Sequence, residues 1–267
     1  MATRTKVSHR DDVAFLTLSS SDGLHVLSLQ AMAELREVLQ QLAGQPALRA
    51  VVLTAEGSRA FSAGADLREL ARLQPEAAIA FSQAGQATTL ALAQLEVPTI
   101  AVLPGPAFGG GVELALACDF RLLETRAQLH YRAAELGLLP GWGGTQRLPR
   151  LVGEGRASWM MMACEPVPAI RAAEWGLAHG VAAGPELDAA LTDWLARLVR
   201  LDVTALGAIK AAIRAHAPFN FEAEQRAFAA CFASGATQAR IETWLRLSRA
   251  ATASPPTSPS ASAGSQS

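Results

Sequence analysis

The chain has little of several features that mark large protein classes. It contains three cysteines in 267 residues, and an odd number of widely spaced cysteines favours neither a disulfide framework nor a zinc site. No apolar run approaches the ~18 residues of a membrane span, and the first twelve residues lack the apolar core of a signal peptide. The net charge of −1 provides no basic surface for nucleic acid or an anionic membrane. We therefore expect a cytoplasmic protein without a metal, a nucleic-acid partner or a membrane partner.

Apolar residues, by contrast, are plentiful. Half of the chain is hydrophobic and 18% is charged, enough to bury one large core. Up to about Gly184, apolar runs typical of strands alternate with helical spacing, which predicts an α/β fold. Beyond Gly184 the pattern is helical, and the Ser/Pro-rich residues 251–267 are predicted to be disordered. The predicted strands are residues 13–18, 50–54, 98–103, 120–123 and 128–131, with helices over 29–42 and about 76–95.

The most informative segment is residues 103–119, LPGPAFGGGVELALACD. Three glycines follow a strand pattern there and open a helix whose first turn carries Glu113. Without a Cβ, a backbone N–H can approach a ligand closely, and a helix N-terminus carries partial positive charge. A carboxylate among apolar neighbours is costly unless it has a partner or a chemical role. The segment predicts an oxyanion-binding turn beside Glu113, and it lacks the G-x-G-x-x-G spacing of a dinucleotide site.

Two further clusters of small residues follow predicted strands. Residues 60–70, AFSAGADLREL, come after the strand at 50–54 and place Ser62, Ala63, Gly64 and Ala65 in a turn. Residues 138–150, LLPGWGGTQRLPR, add a third glycine cluster. Two such turns can direct two backbone N–H groups at one carbonyl oxygen, which is the arrangement of an oxyanion hole.

These three segments, in this order and spacing, resemble the enoyl-CoA hydratase/isomerase (crotonase) superfamily from Val13 to about Arg249. The resemblance implies an α/β fold with a crotonase-like (ββα) spiral core and a C-terminal α-helical trimerisation part. We expect an acyl-CoA-binding catalytic core over residues 1–185, a helical trimerisation region over 186–250 and the disordered tail over 251–267. Apolar stripes in the helical region predict a homotrimer or a dimer of trimers; they include Trp194, Phe228, Phe232 and Trp244.

The resemblance also implies roles for individual residues. The backbone N–H groups of Ala65 and Gly110 are the expected oxyanion donors, Glu113 the catalytic acid/base, and the N–H of Gly141 an aid to positioning water. Trp142 stands where many hydratases carry a small residue, and we expect it in the acyl pocket. The expected CoA- and substrate-binding residues are Ala63, Gly64, Asp66, Leu67, Val26 and Trp142, with Asp66 fixing a turn.

One position departs from the family pattern. The second catalytic glutamate of the hydratases is expected where this chain has Ala133. Glu135 is a candidate replacement only if the local backbone differs, because in a strand or extended loop a shift of two residues keeps the same face but moves the group by ~7 Å. His130 and Tyr131, just before this segment, are further polar candidates for the acyl pocket.

The missing glutamate leaves more than one function open. Hydration of an enoyl-CoA is the leading expectation, with acyl-CoA as substrate and no separate cofactor, since CoA is part of the substrate. Decarboxylation of a short carboxyacyl-CoA is also compatible with the sequence, because it needs an oxyanion hole and a proton donor but no pair of bases. Enoyl-CoA isomerisation and non-catalytic acyl-CoA binding are compatible with it as well.

Overall fold

The computed structural model describes residues 2–215 and 219–253. Its strands are β1 (Arg4–Arg10), β2 (Val13–Ser19), β3 (Val26–Leu27), β4 (Ala50–Ala55), β5 (Gly64–Ala65), β6 (Thr99–Leu103), β7 (Ala107–Phe108), β8 (Phe120–Glu124), β9 (Gln128–His130), β10 (Val167–Pro168) and β11 (Gly180–Ala182). A central sheet has the order β1-β2-β4-β6-β8-β11, in which only β1 and β2 are antiparallel. Two small sheets, β10-β9-β7 and β3-β5, lie beside it.

Eleven α-helices surround these sheets in the described part of the chain. They are α1 (Leu29–Leu42), α2 (Leu67–Leu70), α3 (Pro75–Gln94), α4 (Gly110–Ala117), α5 (Gly144–Val152), α6 (Glu154–Met162), α7 (Ala169–Glu174), α8 (Pro185–Leu198), α9 (Val203–Ala215), α10 (Phe221–Ala230) and α11 (Ala236–Ala253). None of the helices within residues 2–215 and 219–253 is both long and apolar enough to span a bilayer.

Strands β2, β4, β6 and β8 of the central sheet are buried on both faces, which explains their continuous apolar runs. Val51 and Leu53 point into the larger core, which also includes apolar side chains of α1, α3 and α4. The alternate residues Val52 and Ile100 point to the opposite face, where Leu191 of α8 helps to cover them. The first helix of the C-terminal region is therefore part of the same fold as the sheet.

The structure confirms the predicted α/β alternation. All five predicted strands and both predicted helices form, with ends shifted by at most one residue. Strand β1 is not predicted from the sequence because its exposed, polar segment RTKVSHR carries no alternating apolar pattern. The predicted disordered tail begins at Ala251, whereas α11 extends to Ala253; the rest of that tail lies outside the described residues.

Candidate active site

Two small-residue turns meet at the N-terminus of α4. A bridge pairs Ser62 with Ala107, which brings the first turn alongside β7. A Cβ built on Gly64 would lie 2.6 Å from the carbonyl oxygen of Phe108 and 3.2 Å from the backbone nitrogen of Gly110, so only glycine permits this approach. Gly110 is the first residue of α4, where an N–H has no partner within the helix. The structure therefore brings Ala65 and Gly110, the two predicted oxyanion donors, to neighbouring positions on one cavity wall.

Glu113 is the buried carboxylate of this site. Its side chain lies one turn into α4, and only 2% of the residue is exposed. The Oε1 atom accepts hydrogen bonds from the N–H groups of Trp142 and Gly144, both at 2.7 Å. These donors flank Gly143, whose φ of 97° is in the left-handed region that favours glycine. Among the described residues no hydrogen bond reaches Oε2 of this carboxylate.

A second buried carboxylate, Glu224 of α10, holds the same turn. Its Oε1 atom accepts from the N–H of Gly143 at 2.6 Å and from the Gln86 side chain at 2.9 Å. Its Oε2 atom accepts from the hydroxyl of Thr145. Three consecutive N–H groups, 142 to 144, therefore alternate between Glu113 and Glu224, and the turn is fixed by both.

Glu224 is not among the residues predicted from the sequence, although a signal was present. Glu224 and Phe228 are four residues apart on α10, so the glutamate shares the buried face of that helix. A polar stripe on α3 completes the support, since Ser82 and Gln86 both donate to the carbonyl oxygen of residue 141, at 2.6 and 3.1 Å. These contacts fix the backbone that holds Glu113.

The surroundings make Glu113 a weaker acid than an ordinary carboxyl group. Burial is the largest cause that raises the pKa of Glu113 well above its usual value, and the negative charge of Glu224 raises it further. The two N–H hydrogen bonds and the positive charge of Arg147 oppose this shift in the pKa. A carboxyl group with a raised pKa exchanges protons more readily near neutral pH.

The indole of Trp142 packs closely between two glycines, Gly85 and Gly110. A Cβ on Gly110 would lie 2.1 Å from its six-membered ring, and a Cβ on Gly85 of α3 would lie 2.1 Å from its five-membered ring. The indole is 3% exposed and packs against Phe81 at a centroid distance of 5.8 Å. Gly110 therefore serves two purposes, since it presents a backbone N–H and leaves room for the tryptophan.

A cavity of about 320 Å³ opens in front of these groups. Its walls are mainly apolar, and Glu113 and Tyr131 are polar side chains within them. The apolar walls include Leu24, Leu70, Phe81, Phe108, Trp142 and Phe228. A concave, mainly apolar cavity with few convergent polar groups is typical of a small-molecule site.

Most of the predicted site residues lie on this cavity. Ala63, Gly64, Leu67 and Gly141 line it together with the two predicted oxyanion donors and Trp142. Two predicted residues, Val26 and Asp66, are not among those that line it. Val26 pairs with Gly64 in the β3-β5 sheet. Asp66 caps α2 by accepting a hydrogen bond from the N–H of Arg68 at 2.8 Å, which is the expected turn-fixing role.

The backbone around Ala133 is not the strand or extended loop that the sequence analysis considers for Glu135. Ala133 has helical φ and ψ, and Ala134–Leu136 form a 3-10 helix. The carboxylate of Glu135 is 40% exposed and pairs with Arg132 at 2.9 Å, at the edge of the cavity. A surface carboxylate already paired with a guanidinium is poorly placed to replace the missing glutamate, so the structure does not support the catalytic role predicted for Glu135. His130 is also engaged, since its Nε2 atom lies 2.7 Å from the carbonyl oxygen of Cys164.

Comparison with known proteins identifies the family. The profile described as Enoyl-CoA hydratase/isomerase matches residues 8–243. The chain is 33% identical over 177 residues to the crotonyl-CoA hydratase of Syntrophomonas wolfei, which covers 66% of this chain and 68% of that protein. It is 34% identical over 175 residues to the short-chain-enoyl-CoA hydratase of Clostridium acetobutylicum, which covers 66% of this chain and 67% of that protein.

A solved structure supports the same assignment. The enoyl-CoA hydratase from Mycobacterium avium subsp. paratuberculosis K-10 superposes with a TM-score of 0.81 at 26% identity, over 89% of this chain and 97% of that one. The region matched by the family profile includes the three glycine-containing turns and Glu113. The chain therefore belongs to the enoyl-CoA hydratase/isomerase family and has the α/β crotonase fold with C-terminal helices.

Proposed function

We propose that the protein adds water across the 2,3 double bond of a 2-enoyl-CoA thioester. One observation carries this proposal: Glu113 is held by two backbone N–H groups beside the paired oxyanion donors, in one apolar cavity. An oxyanion donor of this kind is typically worth ~3 kcal/mol of barrier. Two of the similar curated proteins are named as hydratases of crotonyl-CoA and of short-chain enoyl-CoA.

In the proposed reaction the thioester oxygen lies between the N–H groups of Ala65 and Gly110. Glu113 takes a proton from water while the water oxygen bonds to C3, and the Gly141 N–H helps to hold that water. The electron pair of the double bond moves toward the thioester, and the two N–H groups stabilise the enolate oxygen. Protonation at C2 completes hydration. CoA enters as part of the substrate, and the proposed reaction needs no separate cofactor.

The acyl chain that fits is short or branched. Phe81, Trp142 and Phe228 fill the space next to the oxyanion donors, and their rings pack against one another. A long straight chain would have to displace these packed aromatic side chains. We propose that the backbone around Ala63, Gly64 and Leu67 receives the CoA part, with Val26 and Asp66 shaping that segment from behind.

The variant Glu224→Gln is expected to shift the acidic limb of the plot of kcat/KM against pH to lower pH. Hydration requires ionised Glu113, so activity rises as the pH passes its pKa. Removing the negative charge at position 224 lowers that pKa, while the glutamine oxygen still accepts from Gly143. Glu222→Gln is the matched control, because Glu222 is on the same helix but exposed and paired with Arg226. An unchanged limb in Glu224→Gln would contradict this electrostatic coupling.

Decarboxylation of a short carboxyacyl-CoA is the second candidate. Ala133 removes the second base, and Trp142 in the sequence PGWGG resembles the ethylmalonyl-CoA decarboxylase branch. The buried glutamates favour hydration over decarboxylation, because a substrate carboxylate would bring a further negative charge close to the buried carboxylate of Glu224. Isomerisation of a 3-enoyl-CoA would use the same oxyanion donors and Glu113.

A paired assay tests the proposal. Crotonyl-CoA and a branched 2-enoyl-CoA are supplied to measure hydration, and methylmalonyl-CoA and ethylmalonyl-CoA to measure bicarbonate release. We expect hydration to dominate in kcat/KM. Dominant bicarbonate release would establish the decarboxylase instead. Tight CoA binding without turnover on these substrates and on 3-enoyl-CoA would establish a non-catalytic acyl-CoA-binding subunit.

We further propose that the chain assembles as a homotrimer or a dimer of trimers. Apolar stripes that include Phe228 and Phe232 predict assembly from the sequence. Both side chains are buried within the chain itself. Other large apolar side chains are exposed, among them Trp159 and Met162, which lie three residues apart on α6. Exposed apolar neighbours of this kind favour a subunit interface. Light scattering at micromolar concentration should give three or six chain masses, and a monomeric mass would contradict assembly.

A further inference from the structure

Tyr131 is the only tyrosine of the chain, and its position is unusual for a residue with no assigned role. It directly follows β9 and has no exposed surface. Its hydroxyl oxygen has no hydrogen-bond partner among the described residues. An unsatisfied buried hydroxyl destabilises the folded protein, and phenylalanine would fill the same space without that cost. A partner that arrives with the substrate would satisfy this hydroxyl.

The hydroxyl of Tyr131 lies beside the catalytic carboxylate. A Cβ built on Gly144 would lie 2.7 Å from the Tyr131 oxygen and 2.8 Å from Oε1 of Glu113, so both oxygens border the same small space. Tyr131 and Glu113 also line the same cavity as Ala65 and Gly110. Nearby Glu135, in contrast, is directed into a surface ion pair. Tyr131 thus brings a polar group close to Glu113 from the segment that precedes Ala133.

We propose that the Tyr131 hydroxyl is a second catalytic group, which delivers the proton to C2 of the substrate in place of the carboxyl group absent at position 133. This inference rests on the proposed hydration. It assigns the two proton transfers to two different side chains, with Glu113 acting on water and Tyr131 acting on the α-carbon.

The proton balance closes with these two groups. Glu113 takes a proton from water as the bond from the water oxygen to C3 forms, and the double-bond electrons pass to the enolate. C2 then takes the proton of Tyr131 as the thioester carbonyl re-forms. After the product leaves, a water molecule that enters the cavity carries the proton of Glu113 to the Tyr131 oxygen. One water molecule is consumed, and both side chains end in their starting state.

The charges around Tyr131 suit this role. Burial and the negative charges of Glu113 and Glu224 raise the pKa of Tyr131 well above its ordinary value, while Arg147 partly opposes them. The phenol therefore stays protonated between turnovers. It also reclaims its proton from Glu113 after each transfer, so a phenolate does not accumulate.

The variant Tyr131→Phe tests the inference. We expect kcat for crotonyl-CoA hydration to fall by about 100-fold or more, the usual contribution of a positioned acid, with KM within about threefold. The melting temperature should not fall, because only an unsatisfied hydroxyl is removed. Thr88→Val is the matched control, since it removes another buried hydroxyl, bonded within α3 to the Ala84 carbonyl. That variant should keep its kcat.

The outcomes separate the inference from the proposed function. Hydration by Tyr131→Phe at a kcat close to that of the parent would overturn the role of Tyr131 alone. Absence of hydration in the unmodified protein would overturn the proposed function and this inference with it. A second measurement does not depend on a variant folding. Protein made with 3-fluorotyrosine carries one fluorinated tyrosine, and its ¹⁹F resonance should move when butyryl-CoA, a saturated thioester, saturates the site. An unmoved resonance would also overturn the inference.

Discussion

Glu113→Gln is expected to lower kcat for enoyl-CoA hydration by about 10³-fold, within the range that general acid–base catalysis contributes. The glutamine oxygen can still accept the hydrogen bonds from Trp142 and Gly144, so the turn keeps its shape. The amide cannot take a proton from water. We therefore expect unchanged CoA affinity and an unchanged melting temperature. Steady-state kinetics, CoA titration and thermal unfolding measure the three quantities.

Glu135→Gln is the matched control for this substitution. Both changes replace a glutamate by its amide, but Glu135 is an exposed, ion-paired residue at the edge of the cavity. We expect its kcat to stay close to that of the parent protein. Full activity in Glu113→Gln together with loss of activity in Glu135→Gln would reverse the assignment and restore the role predicted from the sequence.

Gly110→Ala is expected to combine a catalytic loss with a loss of stability. The new methyl group would lie 2.1 Å from the Trp142 ring, which cannot retreat because Gly85 is in close contact on its other side. The start of α4 must then move, and the N–H of Gly110, the proposed oxyanion donor, moves with it. We expect kcat to fall by about 10²-fold to 10³-fold and the free energy of unfolding to fall by about 1–3 kcal/mol.

Two further variants test the physical cause. Gly155→Ala, in a helix where a Cβ would meet nothing within 4 Å, should leave both activity and stability at least as high as in the parent. Adding Trp142→Leu to Gly110→Ala removes the ring that the methyl group meets. The double variant should regain part of the lost kcat. If it regains none, the steric explanation fails.

The sequence predicts those parts of the site that depend on local backbone requirements. Gly110 and Gly143 are recognisable because a close approach and a positive φ each demand glycine at one position. The central strands are recognisable because burial on both faces requires continuous apolar residues. The spacing of the sequence also shows that Ala133 replaces the second glutamate of the family pattern. The helical backbone at Ala133 cannot be predicted from the sequence, since the neighbouring residues carry no strong turn signal.

The parts that escape prediction depend on contacts between distant segments. Glu224 reaches Gln86 across 138 residues of sequence, and nothing local to either residue indicates that α10 packs on α3. The wedge of Trp142 between Gly85 and Gly110 likewise joins three separate segments. A sequence cannot show that a tyrosine is buried without a hydrogen-bond partner, because burial and hydrogen bonding are properties of the folded core.

Glu224 of α10 holds the turn at Gly143, so the site cannot be complete until α10 has been synthesised. A nascent chain that ends before α10 already contains every residue predicted to be catalytic. It lacks the carboxylate that accepts the N–H of Gly143, and an unpaired backbone group there would destabilise the turn. Chains grow from the N-terminus, so α10 and α11 are made after the rest of the site. We therefore expect activity to arise only once α10 has been made, and products that terminate before it to be inactive despite carrying Glu113.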